Sequence, residues 1–265
     1  MEQLSGLTAL VTGGGAGIGR SICLAFANEG MNVVVADREE ERAREVAAEV
    51  EGTGVKALAL TCDVGDAASV EAMADKAYEA FGAVNVLVNN AGILQMGPVA
   101  DAPQEDWDWL FHVNLWGVVN GVRTFVPRMR AQGSPAHIVN TSSLSGVFAV
   151  PGLGVYTAAK YGVMAICETL RDELKPEGIG VSVLCPGPTR SRIGETARIT
   201  GLERVSREEA DLGYLGYKEP DWVAAQVVAG VKANRLYIFS HKNGRITTEK
   251  RFNEMLEAFD VLPDE

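Results

Sequence analysis

No apolar run in the 265 residues approaches the length of a membrane span, and Met1-Glu-Gln-Leu-Ser-Gly6 leads almost at once into a β-branched stretch. A spanning helix needs about 20 consecutive apolar residues, so neither a membrane anchor nor a cleavable leader is expected. Cysteine is scarce and scattered. Cys23, Cys62, Cys167 and Cys185 lack C-x-x-C spacing, which argues against a zinc ribbon or a disulfide framework and points to a reducing cytoplasm. His112, His137 and His241 stand apart from one another and from paired carboxylates. Metal ligands must cluster, so no metal is expected and each histidine reads as structural or superficial. Positive charge is also in short supply: the formal net charge is -11, which argues against an unspecific hold on nucleic acid or an anionic membrane.

What is present is ordinary for a soluble globular chain, with 47% hydrophobic and 22% charged residues,. From Leu7 to about Lys232, short β-branched runs alternate with longer amphipathic stretches, the signature of repeated βαβ units. Strands are expected at Thr8–Thr12, Asn32–Ala36, Ala57–Thr61, Val84–Asn89, His137–Ser142, Gly180–Cys185 and Tyr237–Phe239. No linker divides them, so the expected α/β fold is one doubly wound (Rossmann), mostly parallel seven-stranded sheet with helices on both faces. The catalytic domain would span residues 1–240, with a mobile lid at about 186–220, rich in glycine and mixed charge. In the tail, residues 241–265, Phe252, Met255, Leu256 and Phe259 fall at helical spacing and are expected to pack on the same domain or a neighbouring subunit,. Two long helices, about 105–130 and 155–175, are apolar on more than one face, which predicts a homodimer or homotetramer.

The chemistry centres on Asn140-Thr-Ser-Ser143 and Tyr156-Thr-Ala-Ala-Lys160. If the first closes a strand and the second opens a helix, Ser143, Tyr156 and Lys160 meet. Residues four apart share a helix face, so the Lys160 ammonium can favour the Tyr156 phenolate. Tyr156 then serves as general acid/base for an alcohol held by Ser143. A second Tyr-x-x-x-Lys, Tyr214 and Lys218, spans Gly216 without a preceding strand or serine, and reads as coincidence in a loop.

The hydride partner sits elsewhere. Thr12, Gly13, Gly17, Ile18 and Gly19 lie in a T-G-x-x-x-G-x-G loop between the first strand and the first helix, where glycines let backbone approach a pyrophosphate at a helix N-terminus. Asp37 ends the second strand at the distance where a carboxylate takes the adenosine ribose hydroxyls. It would repel a 2′-phosphate, so NAD is expected over NADP, although the adjacent Arg38 could pair with that phosphate.

Taken together, these residues resemble the short-chain dehydrogenase/reductase family from Leu7 to about Phe239. The motifs occur in order: Thr12–Gly19, Asp63, Asn89-Asn-Ala-Gly92, Ser143 with Tyr156 and Lys160, and Pro186-Gly187. The resemblance implies that Asp63 and Val64 hold adenine and that Asn90, Ala91 and Gly92 line the cofactor cleft. It implies that Lys160 bonds the nicotinamide ribose and that Asn114 is a fourth catalytic residue, kinking a helix and holding a relay water. The family interval assigns the catalytic hydroxyl to Ser143 and leaves Ser142 to packing. After the sixth strand, Pro186-Gly187-Pro188-Thr189-Arg190-Ser191 departs from the family's P-G-x-x-x-T. Either hydroxyl can bond the carboxamide, with Ser191 preferred and Thr189 assisting.

By position in the family pattern, Leu94, Met96, Leu144, Val150, Leu153 and Pro188 wall the substrate pocket. Such a lining suits a small apolar secondary alcohol or ketone. Arg190 and Arg192 are expected on a solvated lid surface rather than on a substrate carboxylate. Within the family, the run Trp107–Met129 is similar to members that oxidise benzylic alcohols of lignin-derived aryl ethers. An NADPH-dependent ketone reductase and a non-catalytic NAD-binding regulator are the alternative readings.

Overall fold

Strand propensity and period are enough to lay down the frame. The computed structural model describes residues 1–201, 203 and 212–262. Its main sheet contains β1 (Thr8–Thr12), β2 (Asn32–Asp37), β3 (Ala57–Thr61), β4 (Val86–Asn89), β6 (Ala136–Thr141), β7 (Ile179–Cys185) and β9 (Tyr237–Phe239). They pair in parallel in the order β3-β2-β1-β4-β6-β7-β9. Leu10 stands opposite Val34 on one side and Leu87 on the other. Both faces are covered, as in other all-parallel sheets. Leu10 points into a layer with α3 (Ala67–Phe81), α5 (Gly117–Ala131) and α6 (Gly154–Leu174). Its neighbours Ala9 and Val11 point into the opposite layer, with α1 (Gly17–Asn28), α2 (Glu40–Glu51) and α7 (Pro220–Lys232).

The strand order reverses beside β1: the chain winds out to β3, then returns to β4. That reversal opens a crevice above the C-terminal ends of β1 and β4, the usual ligand position of such sheets. Local signals set the helix ends. Asp66 caps α3 by accepting from the Ala68 amide at 3.0 Å, and Gly82 ends it in the left-handed region at φ 74°,. Pro220 starts α7, where its missing N–H is harmless,.

Four expectations are refined or corrected. β4 begins at Val86, and the Asn85 side chain before it accepts from the Thr8 amide at 3.0 Å and donates to the Pro135 carbonyl at 2.8 Å. The long helix expected at 105–130 is α4 (Gln104–Phe111), a π-turn over His112–Trp116, and α5. The segment expected as a lid carries a short strand: β8 (Arg198–Ile199) pairs with β5 (Gln95–Met96) in a second sheet. Buried Asp106 holds it by accepting from Arg198 at 3.1 Å and from the Thr200 hydroxyl at 3.3 Å. Residues 202 and 204–211 of the expected lid lie outside the described residues, as do 263–265 of the tail.

The tail is the fourth. It forms a helix, α8 (Gly244–Asp260), but does not pack along the domain. Only Gly244 is buried; Leu256 is 61% and Phe259 68% exposed, and Phe252 and Met255 are also exposed. Periodicity reports an apolar face without saying what covers it. Contacts at Tyr214 with Thr247 and at Arg251 over the Tyr161 ring anchor its near end. Among the described residues no helix is long and apolar enough to cross a membrane.

Candidate active site

β1 runs into a turn whose glycines are dictated by close backbone approach. Gly13 has φ 62°, and a Cβ on Gly19 would lie 2.0 Å from the Gly13 carbonyl oxygen,. Helix α1 has no side-chain cap and no acidic residue in its first turn. Its N–H groups therefore remain available to an anion at the positive end of the helix dipole. Asn90 braces this turn from β4, donating from Nδ2 to the Thr12 carbonyl at 3.0 Å while the Thr12 hydroxyl accepts the Asn90 amide at 3.0 Å.

At the end of β2, the Asp37 carboxylate is held by the Gly15 amide at 2.9 Å and the Glu39 amide at 3.0 Å. Arg42 also lines this end but is paired with Glu39 at 2.9 Å. The Asp63 carboxylate accepts from the Gly65 amide at 3.0 Å, with His112 Nε2 3.6 Å away.

These groups line one cavity of about 890 Å³ that runs from Asp37 to Tyr156. All the expected cofactor and pocket residues, from Gly13 through Ser191, line it; among the expected catalytic residues only Asn114 does not. Asn114 lies in the π-turn, fully buried. Its amide is committed to Ile93, accepting from the backbone N–H at 2.8 Å and donating to the carbonyl at 2.9 Å. It stands behind Gly92, across from the Lys160 ammonium.

Ser143, Tyr156 and Lys160 do converge. Ser143 Oγ accepts the Ser145 amide at 3.1 Å and donates weakly to the Pro186 carbonyl at 3.5 Å. Lys160 Nζ donates to the Thr141 carbonyl at 2.9 Å and lies 5.5 Å from the Tyr156 ring centre. Ser142 points away, donating to the Lys160 carbonyl at 2.8 Å.

The electrostatics differ from the expectation. Burial pushes the Tyr156 phenol up to about 12, opposed by its hydrogen bond with Ser143, and pushes Lys160 down to about 8. Both groups are buried, and desolvation disfavours a lone phenolate or ammonium. Without other charge in the cleft, Tyr156 is a protonated acid at neutral pH.

Thr189 and Ser191 have different neighbours. Thr189 donates to the Gly187 carbonyl at 2.9 Å, whereas Ser191 lies over the glycine turn, 3.1 Å from where a Cβ on Gly17 would be. Arg190 and Arg192 are exposed and paired with Glu219 at 2.9 Å and Glu195 at 2.7 Å. Tyr214 lies in a short turn, as its sequence context suggests.

Sequence reasoning did not single out Ile93, Ile193, Leu212, Leu215 and Tyr217, which complete the apolar wall. The lid residues among them carry no periodic signal. The uncapped helix, the Cβ-free floor and the fixed carboxylate fit a dinucleotide. No group of three or more metal-ligating side chains is found among the described residues.

A family model described as short chain dehydrogenase matches residues 7–200. The sequence is 35% identical to the C alpha-dehydrogenase of Sphingobium sp. (strain NBRC 103272 / SYK-6) over 97% of this chain and 88% of that protein. It is 34% identical to the 1-deoxy-11-beta-hydroxypentalenate dehydrogenase of Streptomyces exfoliatus, over 96% and 90%. Among solved structures, a short chain dehydrogenase/reductase from Burkholderia phymatum in complex with NAD superposes with a TM-score of 0.87. The identity there is 30%, covering 100% of this chain and 99% of that one.

Proposed function

The chain belongs to the short-chain dehydrogenase family and is an oxidoreductase of it; within that family we propose that it moves a hydride between NAD(H) and an apolar secondary alcohol or ketone. The observation that carries this reading is the single cavity joining the Asp37 end to the Ser143, Tyr156 and Lys160 end.

In this reading Asp37 takes the ribose hydroxyls, Asp63 and Val64 hold the adenine ring, and the open N-terminus of α1 takes the pyrophosphate. The dinucleotide, when bound, supplies the hydride acceptor or donor. Ser143 orients the carbinol oxygen and Tyr156 takes or returns its proton. Lys160 raises the positive potential around the phenol. Asn114 acts as a positioning residue, fixing Ile93 and the turn beside Gly92. The place of Thr189 beside Gly187 supports it as the carboxamide contact, and that of Ser191 over Gly17 supports a pyrophosphate contact.

Leu94, Met96, Val150, Leu153 and Pro188, joined by Ile193, Leu212 and Leu215, support an apolar substrate,. The two dehydrogenases to which the chain is similar support the oxidative direction. An NADPH-dependent reductase is the second reading, favoured by Arg38 and Arg42 at the Asp37 end. Four buried, unpaired cysteines suit a reducing cytoplasm,. The apolar groove between α5 and α6, lined by Val119, Val122, Ile166 and Leu170, supports a homodimer or homotetramer, checked by sedimentation at micromolar concentration.

The test is NADH formation from a panel of aromatic, steroid and alicyclic secondary alcohols, run with NAD and NADP at mildly alkaline pH. Turnover with NAD on at least one class is expected. Tight NAD binding with no turnover across the panel would favour a non-catalytic binding protein.

A further inference from the structure

We propose that His241 is a positioning residue for the hydride-transfer site, clasping the Pro186–Thr189 loop to the returning arm of the lid at Gly216. The assignment of its effect to hydride transfer rests on the function proposed above; the clasp itself does not.

His241 follows β9 and is only 3% exposed. Its Nδ1 lies 3.2 Å from the Gly187 amide nitrogen and 2.7 Å from the Ser240 hydroxyl. Its Nε2 lies 3.1 Å from both the Pro188 and the Gly216 carbonyl oxygens. The neutral ring with its hydrogen on Nε2 satisfies all of these partners: carbonyls can only accept, so Nε2 carries the hydrogen, and Nδ1 accepts from the Gly187 N–H, which also lies 3.4 Å from the Ser240 hydroxyl,. Burial, which pushes the imidazole pKa down, favours the same neutral form.

The ring is also a spacer. A Cβ on Gly187 would lie 2.8 Å from both Cγ and Nδ1, so the loop can sit this close only as glycine. Gly187 also packs on Leu144, as does Gly244 in the next turn. The 186–189 loop and Gly216 therefore meet at the His241 ring, with Leu144 beside it.

Both clasped segments face the cavity. Gly187, Pro188 and Thr189 line it, as do Leu215, Gly216 and Tyr217. Between them runs a short ladder, with the Lys218 amide donating to the Pro188 carbonyl and the Arg190 amide to the Lys218 carbonyl, both at 3.0 Å. The Pro186 carbonyl accepts the Leu144 amide at 2.9 Å and faces the Ser143 hydroxyl at 3.5 Å. A shift of this loop therefore moves Ser143 and the substrate-facing floor together, and a displacement of about 1 Å at a reacting centre can reduce rate about 100-fold.

Three variants separate the two halves of the clasp. His241→Asn leaves an oxygen near Nδ1 to accept from Gly187; His241→Gln leaves an amide nitrogen near Nε2 to donate to Pro188 and Gly216; His241→Leu leaves neither. Hydrogen exchange of full-length protein, read by mass spectrometry, should accelerate in His241→Leu at both 186–190 and 212–218. His241→Asn should restore protection at the first segment and His241→Gln at the second. In kinetics with NAD and the best panel alcohol, His241→Leu should lower kcat at least about 10-fold and raise the alcohol KM at least about 3-fold. His241→Asn should recover kcat and His241→Gln the alcohol KM.

Unchanged exchange in His241→Leu would overturn the clasp. Accelerated exchange with unchanged kcat and KM would overturn its role in positioning. If wild type turns over no alcohol, the exchange pattern alone upholds the clasp while the functional reading fails.

Discussion

Replacing Lys160 with methionine should abolish turnover and at the same time relieve the folded state of a buried charge. The two side chains are close in volume, so the change isolates the ammonium. Burial lowers the Lys160 pKa from 10.5 to about 8. At about 1.4 kcal/mol per pH unit, the folded state below pH 8 carries roughly 3 kcal/mol of unfavourable charge burial. Methionine removes that term and also the bond from Nζ to the Thr141 carbonyl, a loss of about 1–3 kcal/mol. The variant is therefore expected to be equal to wild type or up to about 2 kcal/mol more stable at pH 7. Between pH 8 and 10.5 the unfolded lysine holds a proton that the folded one has released, so wild type gains stability with rising pH in that window and the variant does not. Buried Tyr156, Cys23 and Cys185, whose pKa values are raised, lose stability at high pH in both proteins and cancel in the difference. Urea unfolding of both at pH 7, 8, 9 and 10 reads it: wild type should gain on the variant by up to about 3 kcal/mol. A difference independent of pH would refute the burial argument.

Gly19→Ala places a methyl against the Gly13 carbonyl; it should lower stability by about 1–3 kcal/mol and remove NAD binding detectable by calorimetry, and normal binding would contradict the tight turn. Asp37→Asn removes the charge expected on the ribose hydroxyls; kcat/KM with NAD should fall about 10- to 100-fold and the NAD/NADP ratio with it, and an unchanged ratio would overturn the role of Asp37. Because burial holds Tyr156 protonated, with a pKa of about 12, kcat/KM for alcohol oxidation should rise with pH from 7 until the Lys160 ammonium begins to be lost near about 8, whereas ketone reduction should gain nothing. Oxidation falling between pH 7 and 8 at constant ionic strength would contradict this.

Much of the molecule was legible because its signals are local. Val33-Val-Val-Ala announces a strand buried on both faces, and strand–glycine–helix punctuation announces the turn at Gly13–Gly19. The cavity gathers Asp37, Asp63, Asn90, Ser143, Tyr156 and Lys160 as their motifs suggest. What escaped depends on distant neighbours. β8 is two residues long and exists because Gln95-Met96 and Asp106 wait for it. The apolar stripe of α8 is plain in the sequence, but whether anything lies under it is a tertiary fact. Four-residue spacing brings Lys160 to Tyr156; it does not report that both are dehydrated. His241 joins partners 25 to 54 residues away, and nothing in its neighbourhood marks it.

The most direct measurement compares Tyr156→Phe with wild type in NADH formation and in NAD binding. The variant keeps the ring that packs the cavity and loses only the phenolic oxygen. Turnover should fall by at least about 1,000-fold, within the range lost with a general acid/base, while the NAD Kd stays within about 3-fold. Turnover retained within about 10-fold of wild type would contradict Tyr156 as the proton carrier, and with it the assignment of this cavity as the site of hydride transfer.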